Sequence, residues 1–159
     1  DYAPYQNPSE ISIFYSLGAA DLQKICMDNI VVHQNTFERT KKAVGKCIVL
    51  LKNRQVALGN TGTVTHDRIT NFVFSNNTVK DSRSNAGSDD SIFTIKNSGE
   101  TKSHVTCTGN DFTNSKAKFF INSILGNTGK YTFKHKNNAM PSGVKANSVN
   151  GATGLISIH

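Results

Sequence analysis

The sequence lacks tryptophan, and its cysteines fit neither a disulfide framework nor a metal site. The three cysteines are an odd number, and they show no Cys-x-x-Cys spacing and no paired histidine ligands. We therefore predict that Cys26, Cys47 and Cys107 are small buried hydrophobic residues. We expect no bound metal and no cofactor.

Long apolar runs are also missing, so we predict no membrane insertion. The first ten residues lack the charged start and apolar stretch of a secretory signal. The chain begins at Asp1 rather than at Met, which fits a mature fragment or a piece excised from a longer protein. Short apolar runs separated by Asn, Ser, Thr and Gly are instead typical of strands and turns.

Negative charge is scarce relative to positive charge, with 11 Asp and Glu against 18 Lys and Arg. This excess favours an anionic partner such as acidic polysaccharide, lipopolysaccharide or nucleic acid. Nucleic acid is the weakest of these, because the basic residues are not interleaved with aromatic residues and no nucleic-acid-binding motif is present. We expect no nucleic-acid partner.

What the sequence does contain is a repeat with the pattern apolar, any, apolar, any, any, Asn, any, apolar. The copies are residues 30–37, 72–79, 105–112 and, with His135 replacing the second apolar residue, 133–140. The two leading apolar positions share one side of a strand. The Asn is predicted to make the bend that follows, since Asn tolerates the left-handed conformation.

Stacked copies would align equivalent residues in three rows. The first inward column is Val32, Phe74, Cys107 and His135, and the second is Phe37, Val79, Phe112 and Met140. The third row is an amide ladder of Asn35, Asn77, Asn110 and Asn138, in which side chains can bond from coil to coil. After each corner a second apolar run follows, at residues 47–51, 92–95, 119–121 and 155–158, so each coil needs at least three strands.

These features predict an all-β, single-domain fold, a right-handed parallel β-helix (solenoid) of about four to five coils. We assign residues 1–24 to an N-terminal lead-in segment and residues 25–159 to the β-helix. A β-sandwich is the main alternative, because it too has short, regularly spaced strands. The repeated register of the Asn favours the solenoid, since sandwich turns have no reason to repeat it.

The strand-Asn-strand corner resembles that of the right-handed parallel β-helix superfamily, which includes pectate lyases, polygalacturonases and bacteriophage tailspike and tail-fibre proteins. The resemblance covers roughly residues 25–159, and the composition is most similar to a tailspike segment. It implies a homotrimer on the virion tail, outside the cell, that engages a bacterial surface polysaccharide. The scaffold alone does not imply any reaction.

Carboxylates in one loop are the best candidates for catalysis on such a polysaccharide. Glycoside hydrolysis needs two carboxyl groups facing one sugar linkage. Asp81, Asp89 and Asp90 lie within a single predicted loop, where mutual repulsion would raise one pKa toward that of a general acid. A weaker candidate is the adjacent pair His66 and Asp67. A solvent-exposed acidic turn is the alternative interpretation of these acids.

Binding without catalysis needs exposed aromatic rings near amides and cations. Tyr131 beside Lys130 and Lys134 is the best carbohydrate-binding candidate, although Tyr131 would equally suit an oligomer contact. We therefore expect a non-enzymatic tailspike-like segment that recognises bacterial polysaccharide, supports trimer assembly, or both. The alternative is a polysaccharide depolymerase, a hydrolase or lyase that uses the loop carboxylates.

Overall fold

In a computed structural model, the described residues form short strands joined by turns and loops. The described residues are 9–16, 28–43, 45–54, 69–84, 86–98, 102–125, 130–150 and 156–158. The strands are β1 Ser9–Ser16, β2 Val31–His33, β3 Thr36–Arg39, β4 Cys47–Arg54, β5 Ile69–Ser75, β6 Thr78–Asp81, β7 Ser91–Ser98, β8 Lys102–Thr108, β9 Asp111–Asn114, β10 Phe119–Leu125, β11 Lys130–Lys136, β12 Lys145–Asn150 and β13 Ile156–Ile158. These ranges contain no helix, and hence none that could span a membrane.

The strands form three sheets in which every pairing is parallel. The strand orders are β1-β4-β7-β10-β12, β13-β11-β8-β5-β2 and β3-β6-β9. From β1 to β11 successive strands thus visit the three sheets in turn, and the neighbour within a sheet is the equivalent strand of the next pass. Between β11 and β12 the chain passes beside β9 through an isolated bridge of Ala139 with Asp111. This connectivity is consistent with a β-solenoid and confirms the predicted all-β, parallel architecture.

The core lies between the sheets and combines residues of the predicted columns with the apolar runs of β4, β7 and β10. Val32 pairs with Phe74, Phe74 with Cys107, and Cys107 with His135, as the first column requires. Phe74 is fully buried at the centre, with its ring 5.7 Å from that of Phe37 and 6.2 Å from that of Phe112. Aromatic rings therefore bridge the first and second columns.

The amide ladder is formed as predicted. Asn77 Oδ1 accepts hydrogen bonds from the main-chain N–H and the Nδ2 of Asn35, at 2.9 and 3.2 Å. Asn110 receives the same two bonds from Asn77, and Asn138 receives them from Asn110. Each receiving side chain also donates to a main-chain carbonyl of an earlier copy, that of Val32, Phe74 or Cys107. Every corner is thereby tied to the next.

The ladder Asn is not the residue that makes the bend, which corrects the sequence prediction. The left-handed residue is the preceding one in each copy, namely Gln34, Asn76, Gly109 and Asn137, with φ between 53° and 67°. At Gly109 a Cβ would lie 2.3 Å from Asn76 Oδ1, so a larger residue there would require the Asn76 side chain to move. The physical reason for the shift is that the ladder Asn turns its amide toward the next coil.

Two strands depart from the predicted order. Residues 155–158 were predicted to be equivalent to β4, β7 and β10, but β13 pairs with β11 in the other large sheet. The position next to β10 is taken by β12, a largely polar strand that apolar periodicity could not reveal. Near the N-terminus, β1 lies inside the segment predicted as a lead-in and pairs with β4. The domain boundary at residue 24 stays a prediction.

Candidate functional site

Asp81 ends β6 and faces a buried arginine of the neighbouring strand. It is in register with Arg39 at the end of β3, and Arg39 Nη1 lies 3.5 Å from Asp81 Oδ2. The Asp81 side chain has no exposed surface, and Arg39 is only 1 % exposed. Arg39 Nε also pairs with Glu10 Oε1 at 2.9 Å, which connects β1 to this corner.

Arg83 joins Asp81 to Asp90. Its Nη2 lies 2.8 Å from Asp81 Oδ2, and its Nε donates to Asp81 Oδ1 at 2.9 Å. Its Nη1 lies 2.8 Å from Asp90 Oδ2, a contact that is an ion pair rather than an aligned hydrogen bond. Both arginines also donate to the buried Gly45 carbonyl. Glu10, Arg39, Asp81, Arg83 and Asp90 therefore form one charge network, called here the corner ion network.

The corner ion network holds Asp81 as a carboxylate. Burial by itself opposes ionisation of Asp81, but the hydrogen bonds and positive charges of Arg83, with the charge of Arg39, outweigh it and lower its pKa. We expected repulsion among the acids to raise a pKa, and at Asp81 that expectation is wrong because the nearest charges are positive. A buried carboxylate with a lowered pKa is poorly suited to donate a proton to a glycosidic oxygen.

Asp89 differs from its neighbour Asp90 in being half exposed. A hydrogen bond from Lys46, 3.0 Å from Asp89 Oδ2, is the largest cause of its lowered pKa. Its main-chain carbonyl accepts a hydrogen bond from Asn122 Nδ2. The structure thus separates the three acids into two buried network members, Asp81 and Asp90, and one member of a surface ion pair, Asp89. Their catalytic role stays a prediction.

A shallow cleft of about 390 Å³ opens beside the network. It is lined by Glu38, Arg39, Thr40, Lys80, Asp81, Ser82 and Asn114. Glu38 and Lys80 are exposed at its rim and pair across β3 and β6 at 3.5 Å, and the exposed Ser82 donates its hydroxyl to the Arg39 carbonyl. Thr40 and Asn114 are exposed there as well. The cleft therefore offers hydrogen-bonding groups, but its one buried carboxylate is already neutralised.

The predicted carbohydrate-binding residues lie on β11. Lys134 is exposed and pairs with Thr106 of β8. The main chain of Lys130 and Tyr131 pairs with Lys102 and Ser103, but their side chains lie outside the described residues. The pair His66 and Asp67 also lies outside them. In the part of the chain that is described, no group of three or more His, Cys, Asp or Glu side chains is placed to hold a metal ion.

No family model, curated protein or solved structure matches this chain. The function must therefore be argued from the site itself. Sequence inspection missed both arginines of the corner ion network, although one signal was present. Arg39 and Asp81 each follow their ladder residue, Asn35 or Asn77, by four positions, so the predicted register already placed them side by side.

A second pairing that the sequence did not suggest joins His33 and Ser75. His33 Nδ1 lies 2.9 Å from Ser75 Oγ, a distance that would suit a nucleophile and its base. Among the described side chains, however, no carboxylate orients His33, and Ser75 is 9 % exposed. The two residues are opposite each other in the register of β2 and β5. We interpret the contact as a cross-strand hydrogen bond of the stack.

Proposed function

We propose that this chain is a segment of a right-handed parallel β-helix of the bacteriophage tailspike type, which binds bacterial surface polysaccharide without cleaving it. The parallel strands within each sheet support the scaffold, and crossovers between parallel strands of one sheet are almost always right-handed. The resemblance of the strand-Asn-strand corner supports the tailspike type, the homotrimer and the position on a virion outside the cell.

One observation carries the non-catalytic part of the proposal, namely the engagement of Asp81 and Asp90 by arginines. Hydrolysis of a glycan by two carboxylates requires both to reach the sugar, one of them protonated. Asp81 and Asp90 are buried, and Arg83 pairs with both. Removing either acid would leave Arg83 with one carboxylate instead of two, so both acids serve to compensate buried guanidinium charge.

Polysaccharide binding is tested on an array of O-antigen and capsular polysaccharides. We expect retention of a subset of these glycans by the wild-type protein and by Asp89→Asn alike, since Asp89 lies in a surface ion pair. Failure to retain any glycan would contradict the proposal. Binding that depends on Asp89 would instead favour an active role for the acidic loop.

Trimer assembly is tested by the mass of the protein in solution at high concentration. The proposal expects three copies packed side by side along the solenoid axis. A monomer at high concentration would refute the trimer. Glycan binding would still be tested independently by the array.

A further inference from the structure

Charge is distributed very unevenly along the chain. No Asp or Glu follows Asp111, whereas lysines are frequent after it. They are Lys116, Lys118, Lys130, Lys134, Lys136 and Lys145. The coils built by this part of the chain therefore carry charge of one sign, in contrast to the corner ion network, where the two signs balance.

The outer face of β8 and β11 presents part of this charge in a regular array. Val105, Cys107 and Phe133 are buried, so alternate residues of the same strands point away from the core. The outward positions form three registered pairs, Thr132 beside His104, Lys134 beside Thr106, and Lys136 beside Thr108. We call these six side chains the basic face. Its two lysines start about 6.6 Å apart on one strand, and its two strands lie about 4.8 Å apart.

The two lysines of the basic face have no carboxylate partner among the described residues. Lys46 and Lys80 form ion pairs with Asp89 and Glu38 elsewhere on the surface. Lys134 and Lys136 are exposed, and neither pairs with a carboxylate of the described residues. Their field is therefore available to attract a negatively charged ligand.

We propose that the basic face binds an anionic polysaccharide, with acidic groups of the polymer on Lys134 and Lys136. This inference rests on the proposed function and adds the chemical class and the position of the ligand. The three threonines of the face donate and accept hydrogen bonds, which matches the hydroxyl groups of sugars. Single-stranded nucleic acid is a poorer match, since its bases stack on aromatic platforms and the basic face has no Phe, Tyr or Trp.

Replacing both lysines of the basic face tests this proposal, and replacing two lysines elsewhere on the surface serves as the matched control. Lys134→Gln with Lys136→Gln removes two charges from the basic face. Lys41→Gln with Lys42→Gln removes two charges from an exposed turn between β3 and β4. Both variants and the wild type are assayed on the same polysaccharide array, sorted into neutral and acidic glycans. Alginate, a linear polymer with a carboxylate on every sugar, and duplex DNA are added as soluble probes.

We expect retained glycans to be acidic, and their affinity to fall roughly tenfold in the Lys134 and Lys136 variant but to stay unchanged in the control. Alginate should compete, and competition should weaken with added salt. Retention of neutral glycans, or equal losses in both variants, would overturn the inference while the proposed function stands. Preference for duplex DNA over every glycan, through the same lysines, would also overturn it. Retention of no glycan would overturn both.

Discussion

Removing one amide from the middle of the ladder should cost far more stability than removing one from its end. Asn110 is 2 % exposed, and its Oδ1 accepts from the main-chain N–H and Nδ2 of Asn77, at 2.8 and 3.1 Å. Its Nδ2 donates to the Phe74 carbonyl at 3.0 Å and to Asn138 Oδ1 at 2.7 Å. Asn110→Ala breaks these four bonds at once.

The size of the stability loss in Asn110→Ala depends on which hydrogen-bond partners of Asn110 keep another bond. Asn77 Nδ2 still donates to the Val32 carbonyl, and Asn138 Oδ1 still accepts from the Asn110 N–H. The buried Asn77 N–H, however, loses its acceptor. One orphaned buried donor together with the lost bonds should reduce the free energy of unfolding by about 3 kcal/mol. That is a large part of the total for an ordinary domain.

Asn35→Ala is the matched control. Asn35 is exposed at the end of the ladder and donates to the His33 carbonyl and to Asn77 Oδ1. Water can replace these bonds, so the loss should stay below about 1 kcal/mol. Urea unfolding monitored by circular dichroism measures both variants, with an unchanged denaturant slope as the check on a common unfolded state. Equal losses in the two variants would refute the role of the ladder.

Two further predictions concern buried ionisable groups. Asp81→Asn should lower the free energy of unfolding by about 3 kcal/mol at pH 7, because it leaves buried arginines undercompensated. Since the pKa of Asp81 is lowered in the fold, the stability difference between wild type and variant should shrink as the pH falls below about 4. Urea titrations at several pH values measure this difference, and a difference that does not change with pH would contradict the prediction. Burial lowers the pKa of His135, whose Nε2 has no hydrogen-bond partner among the described residues and whose ring lies 4.6 Å from that of Phe120. Wild-type stability should therefore fall as the pH drops through about 6.5. His135→Phe should remove that fall, and an identical pH profile in the two proteins would refute this account.

The sequence was sufficient to predict what repeats. The apolar positions and the Asn recur at fixed offsets, so aligning the copies places Val32 beside Phe74 and Asn77 beside Asn110, as in the structure. The all-β class and the parallel pairing follow from the same alignment, because equivalent residues can stack only when the strands run in one direction.

Features that do not recur from copy to copy could not be predicted from the sequence. Arg83 reaches both Asp81 and Asp90 only because the chain folds back between β6 and β7, and Glu10 joins the network from a distant strand. Strand β12 was missed because it is largely polar. The acids of the loop looked like a catalytic cluster because spacing did not reveal that Arg83 pairs with Asp90 or that Lys46 pairs with Asp89.

The central claim is that this chain binds polysaccharide without cleaving it. An end-group assay on a glycan that the protein retains tests this claim most directly. The wild type is incubated with that polysaccharide, and new reducing ends and unsaturated ends are measured over time. We predict sustained binding with no new ends, because Arg83 holds Asp81 and Asp90 in the corner ion network. New ends that disappear in the Asp89→Asn and Asp90→Asn variants would contradict the account and establish a depolymerase.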